Sequence, residues 1–443
     1  MPSELDFLVV SLGGPGDTYP LFAAALELRK RGHRVRFVGN WGFAPLAASF
    51  HIDFIGYERP ELGLERTLSS RLAQGLRGTI THSWPYQSLS RNARRKRSYL
   101  GAMRWLYDLI ANQPDPSRTI VVSRANSLGA RLAQEKLGVP LVTIQLQPAA
   151  FRSIHDAPGL PLPNFAGRAT RKLAWSMIDA GLGCTITPPL NRFRSELGLA
   201  PVRRPLRSWI YSPDLVLGFF PDWFGAPQLD WPSNTHAVGF SRLDEGEFRG
   251  VPRECEEFLA GGESPIIFTR GSHSRSLEAL RFFETSIEIA RLFNRRAILL
   301  ARERDWIPKD LPNNVGYFGY VPLSKVLPRA AAMIHHGGLG TTAHAFAAGI
   351  PQIAVPLSDD QPDNAARIER LGAGVRISPA RYQAPLAART LQFLLGSAQV
   401  RSTCRTLATS LENQDSLGDA CRLIENWAMR FTGLERHYSA IAV

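Results

Sequence analysis

The chain opens on a short apolar run, residues 7–11, followed at once by Gly13, Gly14 and Gly16 in a turn that ends at Asp17. Over residues 20–31, apolar side chains recur at Leu21, Ala24, Ala25 and Leu28, the spacing of one helix face. Gly32 stops that helix, and residues 35–38 form a second apolar run. Strand, glycine turn, helix and strand make a βαβ unit, which requires a parallel sheet. Further strands are predicted at 119–123, 141–145 and 215–219. The second half repeats the theme: strand 265–269 ends at Gly271 and Ser272, a helix covers 277–293, and strands follow at 297–301, 315–318, 332–335 and 352–356. A helix begins at Gly340, and residues 386–430 read as helical. The pattern predicts an α/β protein of two doubly wound domains, 1–241 and 263–443, joined by a charged linker over 242–262. Ligands are expected at the carboxyl ends of the two sheets, in a cleft where the domains face each other.

A length of 443 residues fits two domains of ordinary size. With 44% hydrophobic and 21% charged residues, disorder and a coiled-coil rod are excluded. No apolar run reaches the roughly 18 residues that a membrane-spanning helix needs. Glu4 and Asp6 precede the first apolar run, which therefore reads as a strand and not as a signal peptide. Cys184, Cys255, Cys404 and Cys421 are far apart, so neither a disulfide framework nor a zinc site is expected, and a cytoplasmic setting fits. The net charge of +13 is concentrated: from Arg66 to Arg104 there is no acid, and Arg91, Arg94, Arg95, Lys96 and Arg97 crowd together. That stretch is either a solvated helix face or a surface for anionic headgroups at the inner face of a membrane. Nucleic acid is disfavoured, because no recognised binding module accompanies the charge.

The first glycine turn is weak evidence alone. A nicotinamide dinucleotide fold wants a third glycine where Tyr19 stands, and an acid where the second strand ends in Gly39-Asn40-Trp41. Asp17 serves equally as a base at a sheet edge or as a helix cap. His33, beyond a helix, and His155, in a proline-rich loop, are poorer bases. The strongest segment starts at His335 and His336 and runs through Gly337, Gly338, Gly340, Thr341, Thr342 and His344. It continues through Gly349, Pro351 and Pro356 to Asp360, Gln361, Pro362, Asn364 and Ala365. A strand feeding a glycine turn and a helix start presents free backbone N–H groups to an anion. The hydroxyls of Thr341 and Thr342 and the ring of His336 add donors, which suits a diphosphate without a metal. Asp360 and Gln361, in the loop after the next strand, offer acceptors and donors for sugar hydroxyls. Trp84, Tyr86, Phe151 and residues 158–163 are candidate apolar walls for an acceptor.

These motifs resemble the donor signature of the UDP-glycosyltransferase superfamily. Gly16-Asp17 with Pro20, and Arg31-Gly32-His33 with Val35, resemble its sterol glucosyltransferase branch. Phe220-Pro221, Asp230-Trp231-Pro232 and Gly239-Phe240 agree with that branch. Leu128-Gly129-Ala130-Arg131, Glu135-Lys136 and Gly138 look like the bacterial rhamnosyltransferases of rhamnolipid synthesis. The resemblance implies a GT-B fold and inverting, metal-free sugar transfer with no cofactor. The N-terminal domain would hold a hydrophobic acceptor and the C-terminal domain a nucleotide sugar. His336, Gly338, Gly340 and Thr341 would bind the diphosphate, and Gly271 and Ser272 would close over it. Asp360 and Gln361 would bind the sugar, while Tyr320 and Val321 would flank the nucleobase. Asp17 would be the general base, as in the sterol branch, where many members have a histidine. Gly14 stands where Ser or Thr is common, removing one side-chain donor. His344 stands where many members place a glutamate against the ribose, which leaves UDP and dTDP both open. Two rival readings are a nucleotide-sugar epimerase and a non-catalytic partner subunit of another glycosyltransferase.

Overall fold

The computed structural model describes residues 4–57, 93–160, 162, 166–247, 249–271 and 276–431, the side chains of 93–100, 182, 185, 247, 276 and 277 excepted. Two compact units divide the chain. The first opens with β1 (Asp6–Val10), α1 (Pro15–Lys30), β2 (Arg34–Asn40), α2 (Ala44–Ser49) and β3 (Asp53–Tyr57). It continues with α3 (Ala93–Ala111), β4 (Thr119–Arg124), α4 (Leu128–Leu137) and β5 (Leu141–Gln145). Last come α5 (Arg168–Glu196), β6 (Leu215–Gly218) and β7 (Thr235–Ala237). The strands pair in parallel in the order β3-β2-β1-β4-β5-β6-β7. Helices cover both faces of such a sheet, so its central strands are apolar throughout: Phe7, Leu8, Val9 and Val10 are fully buried.

The second unit contains α6 (Arg253–Ala260), β8 (Ile266–Thr269), α7 (Ser276–Leu292), β9 (Ala297–Leu300) and β10 (Val315–Phe318). It goes on with α8 (Leu323–Val326), β11 (Ala332–His335), α9 (Leu339–Ala347), β12 (Gln352–Ala354) and α10 (Gln361–Arg370). It closes with β13 (Gly374–Arg376), α11 (Ala384–Gly396) and α12 (Ala398–Glu412). Its parallel sheet has the order β10-β9-β8-β11-β12-β13. In each unit the winding reverses beside the first strand, between β1 and β4 and between β8 and β11. Ligands of open α/β sheets bind at the carboxyl ends of such strand pairs.

Three expectations need correction. The stretch read as a linker belongs to the second unit: α6 buries Cys255 and Leu259 against Ile267 and Ile298, with Phe258 packed alongside. Its charges lie on the other face. The helix read from Pro20 begins at Pro15, where proline's fixed φ suits a first helical position and Gly14 is the cap. The chain's far end also does not stay with the second unit, since α13 (Ser416–Phe431) packs in the first.

That return is locked by charge. Glu425 accepts two hydrogen bonds from Arg31, each 2.7 Å, and one from His33 Nε2 at 2.9 Å. The His33 Nδ1 accepts the Leu5 amide at 3.4 Å, so Nε2 carries the proton. Burial pushes the Glu425 carboxyl up, but the hydrogen bonds from Arg31 and His33 outweigh it, and the net position is below the usual carboxylate range. Glu425→Gln is therefore expected to cost the first unit about 2 kcal/mol at pH 7, discounted from a fully buried pair for Arg31's exposure. A carboxyl depressed in the folded state stabilises above its unfolded pKa and loses that contribution as pH falls. The gap between the two proteins in urea unfolding should accordingly narrow by pH 4.

Candidate functional site

In the second unit, β11 lies between β8 and β12 and ends in His335. His335 is fully buried, with Nε2 donating to Gln352 Oε1 at 2.9 Å and Nδ1 accepting the Gly337 amide at 3.1 Å. Burial pushes the imidazole down to about 4, so it is neutral and fixes the turn that follows. Gly337 has φ +85°, a backbone that favours glycine, and a Cβ there would lie 3.1 Å from the Gln361 carbonyl. The His336 ring lies against two more glycines. A Cβ on Gly271 (φ +73°) would sit 2.5 Å from its Nε2, and one on Gly338 would collide with the same atom. Gly338 caps α9 without any side-chain hydrogen bond. The first α9 amide to find a helical acceptor is that of Thr342, on the Gly338 carbonyl at 3.0 Å. The amides of Leu339, Gly340 and Thr341 are the ones a helix start leaves to a ligand or water. Around Gly340 nothing lies within 4 Å of where a Cβ would be. The result is an open anion cradle at the positive end of a nine-residue helix.

Asn364 ties this cradle to the next loop. It is fully buried, and its Nδ2 donates both to the Gly337 carbonyl (2.9 Å) and to Asp360 Oδ2 (2.7 Å). Asp360 is thereby held beside the glycine turn. The Gln361 side-chain oxygen accepts the Leu357 and Ser358 amides, at 2.8 and 3.3 Å, so what Gln361 has left for a sugar is its NH₂ group.

Several expected ligand residues have other roles. Thr342 is buried and donates its hydroxyl to the Gly338 carbonyl at 3.0 Å, four residues back, so it braces the turn. Val321 has its side chain in the core, which leaves only its backbone for a nucleobase. Tyr320 is 37% exposed, and its hydroxyl accepts the Glu245 amide at 3.0 Å. Burial pushes this phenol up to about 12, and Arg249 stacks 5.4 Å from the ring centre. His344 is buried, 4.0 Å from Asp244. Burial lowers its pKa; Asp244 opposes that and Arg242 adds to it, so the ring is neutral. Asp244 itself accepts the Ser324 amide and hydroxyl, at 2.8 and 2.9 Å. Phe151 corrects an expectation outright: it is 2% exposed, stacked on Trp231 at 4.2 Å and on Tyr211 at 5.6 Å. It packs the core of the first unit and offers no wall to an acceptor. Ser272, Trp84, Tyr86 and most of the basic stretch lie outside the described residues.

In the first unit, Gly14 caps α1 with no side-chain bond, and Asp17 stands in the first helical turn. Asp17 is not the cap. Its carboxylate folds back over Gly13, where a Cβ would overlap it, and pairs with Arg124. Asp17 keeps 35% of its side chain exposed. The sequence assigns no role to His335 or Asn364, both within the quoted motif, nor to Asp244 or Arg124. Arg124 had one signal, an arginine ending the apolar strand Thr119–Arg124.

Among the described residues, no group of three or more His, Cys, Asp or Glu side chains is arranged to hold a metal ion. None of their helices is long and apolar enough to cross a membrane.

Comparison with known proteins completes the picture. Residues 296–417 match the family of the erythromycin biosynthesis protein CIII-like C-terminal domain. The chain is 33% identical over 245 residues to the O-mycaminosyltylonolide 6-deoxyallosyltransferase of Streptomyces fradiae, spanning 54% of this chain and 56% of that protein. It is 30% identical over 378 residues to glycosyltransferase GtfE of Amycolatopsis orientalis, spanning 83% and 85%. To the sterol 3-beta-glucosyltransferase UGT80A2 of Arabidopsis thaliana it is 25% identical, over 95% of this chain and 65% of the relative. Among solved structures, the glycotransferase of kitacinnamycin superposes with a TM-score of 0.71 at 20% identity, covering 96% of this chain and all of that one. The spinosyn rhamnosyltransferase SpnG, complexed with thymidine diphosphate, gives 0.60 at 16% identity, covering 95% and 100%.

Proposed function

The chain belongs to the GT-B glycosyltransferases, and from that premise we propose that it transfers a hexose or deoxyhexose from a UDP- or dTDP-sugar to a hydroxyl of a hydrophobic acceptor, with inversion and without a metal. One observation carries the reading. The first amides of α9, which a helix start leaves without a helical acceptor, the His336 ring against Gly271 and Gly338, and Asp360 tied to the turn through Asn364 gather around one glycine turn. A diphosphate fits the donors, and sugar hydroxyls fit Asp360 and the Gln361 NH₂ group. As the glycosidic bond to the diphosphate breaks, charge grows on the leaving oxygens. Preorganised N–H groups stabilise that charge without reorganising.

Asp17 is the general base of this scheme. It takes the proton of the acceptor hydroxyl as that oxygen attacks the anomeric carbon from the face opposite the diphosphate. A relative named for 6-deoxyallosyl transfer, and a neighbour complexed with thymidine diphosphate, favour a dTDP-deoxyhexose as donor. Relatives named for sterols and for tylonolide favour a large apolar acceptor. The basic stretch between Arg66 and Arg104 would bring such an acceptor's membrane within reach, and vesicle binding through it should fall with added salt.

The test is a melting panel with UDP-glucose, UDP-GlcNAc, dTDP-glucose and dTDP-rhamnose in EDTA. A donor at about 100 times its dissociation constant adds about 2.7 kcal/mol of stability. A shift with one of them is expected. No shift with any donor or with free UDP and dTDP would overturn the reading and favour a non-catalytic partner subunit.

A further inference from the structure

Asp17 and Arg124 meet because the sheet brings them together. β1 and β4 are parallel neighbours whose last pair is Val10 with Ser123, so the chain leaves both strands side by side at the reversal of the winding. Arg124 is the next residue on β4, and the turn through Gly13 follows β1. The Arg124 side chain is 13% exposed, and that of Asp17 is 35% exposed. Arg124 pairs with Oδ1 of Asp17. The other oxygen, Oδ2, lies over Gly13 in the space a Cβ would fill, with no hydrogen bond from any described residue. Arg124 Nε is buried without a partner among the described residues, while its Nη1 pairs with Asp17.

We propose that Arg124 is a positioning residue: it fixes Oδ1 of Asp17, so that Oδ2, kept clear by Gly13, is the oxygen that takes the acceptor's proton. The proposal rests on Asp17 being the base. In the step, the acceptor O–H bond breaks as its oxygen bonds to the anomeric carbon. The proton passes to Oδ2, and the bond to the diphosphate breaks, its electron pair leaving with the nucleoside diphosphate. Arg124 touches neither substrate. It restricts the carboxylate to one orientation, and a misplacement on the order of 1 Å costs such a step about 100-fold.

The experiment compares two acceptors with dTDP-glucose and UDP-glucose as donors. Cholesterol keeps its hydroxyl proton at neutral pH and needs the base. 2-Chloro-4-nitrophenol is already ionised and does not. Arg124→Ala is expected to lower kcat for cholesterol about 10- to 100-fold, leaving donor KM and phenolate transfer within about twofold. Arg124→Lys should recover part of the loss, and Arg124→Gln serves if the alanine variant does not fold. In Asp17→Asn, adding Arg124→Ala should slow cholesterol transfer no further, because both changes act through one group. An equal loss with both acceptors, or losses that multiply, would overturn the positioning role while leaving Asp17 as base. Full cholesterol transfer by Asp17→Asn would instead remove the base reading itself.

Discussion

Asp17→Asn is expected to slow transfer to an alcohol by about 100- to 10,000-fold, the usual contribution of a positioned general base. Donor affinity should stay within about twofold, because the cradle proposed for the diphosphate lies wholly in the second unit, at α9, His336 and Gly271. The substitution is close to isosteric, and the amide oxygen can still accept from Arg124, so the fold has little to lose. What disappears is the oxygen over Gly13 that can hold a proton. Rate and affinity thus separate cleanly in this variant, with kcat falling and donor KM unchanged. Isothermal titration with the nucleoside diphosphate, beside initial rates with an alcohol, makes the comparison. A parallel fall in affinity would show that the damage had spread beyond the proton transfer.

The second large effect lies in the second unit. Asn364→Asp is expected to destabilise it by about 3–5 kcal/mol at pH 7, the scale of an uncompensated buried charge. Asn364 is fully buried, and its NH₂ joins the Gly337 carbonyl to Asp360. The change replaces that donor with an oxygen facing two acceptors, one of them a carboxylate. Burial and Asp360 would both raise the new carboxyl's pKa in the folded state, so the penalty is largest at neutral pH and shrinks as pH falls toward 4. Asn364→Ala, which only removes these two hydrogen bonds, should cost about 1–3 kcal/mol with little pH dependence. Urea unfolding of the two variants at pH 7 and pH 5 separates them. Donor binding should be lost in the aspartate variant, since the glycine turn and Asp360 would repel what joins them.

The parts of this protein that could be read from its residues are those set by local patterns. The strands at Leu141–Gln145, Val315–Phe318 and Ala332–His335 match the sequence reading, because each is a short, mainly apolar run bounded by turn residues. The glycine turn after β11 was legible for the same reason: strand, turn and helix start follow one another in the chain. The helix α5 was not legible. Gly181, Gly183, Pro188 and Pro189 all argue locally against a helix there, and burial of Trp175, Ile186, Leu190 and Phe193 overrides them. The helix α6 was read as linker because Arg253, Glu254, Glu256 and Glu257 dominate its composition, while only Cys255, Phe258 and Leu259 reveal its buried face. At the site, what stayed hidden depends on neighbours distant in sequence. Arg124 reaches Asp17 only because β4 pairs with β1, and Phe151 is core only because Tyr211 and Trp231 close on it. The return of Glu425 to Arg31 and His33, 394 and 392 residues away, leaves no local trace at all.

The measurement that bears most directly on the central claim is the configuration of the product. The chain would be incubated in EDTA with the nucleotide sugar that raises its melting temperature and with an alcohol acceptor, and the anomeric proton followed by NMR from the first minutes. A single displacement with Asp17 as base predicts one product, carrying the anomer opposite to the donor's, formed at full rate without metal. Retention of the donor's configuration, or turnover only on adding a divalent cation, would contradict the account.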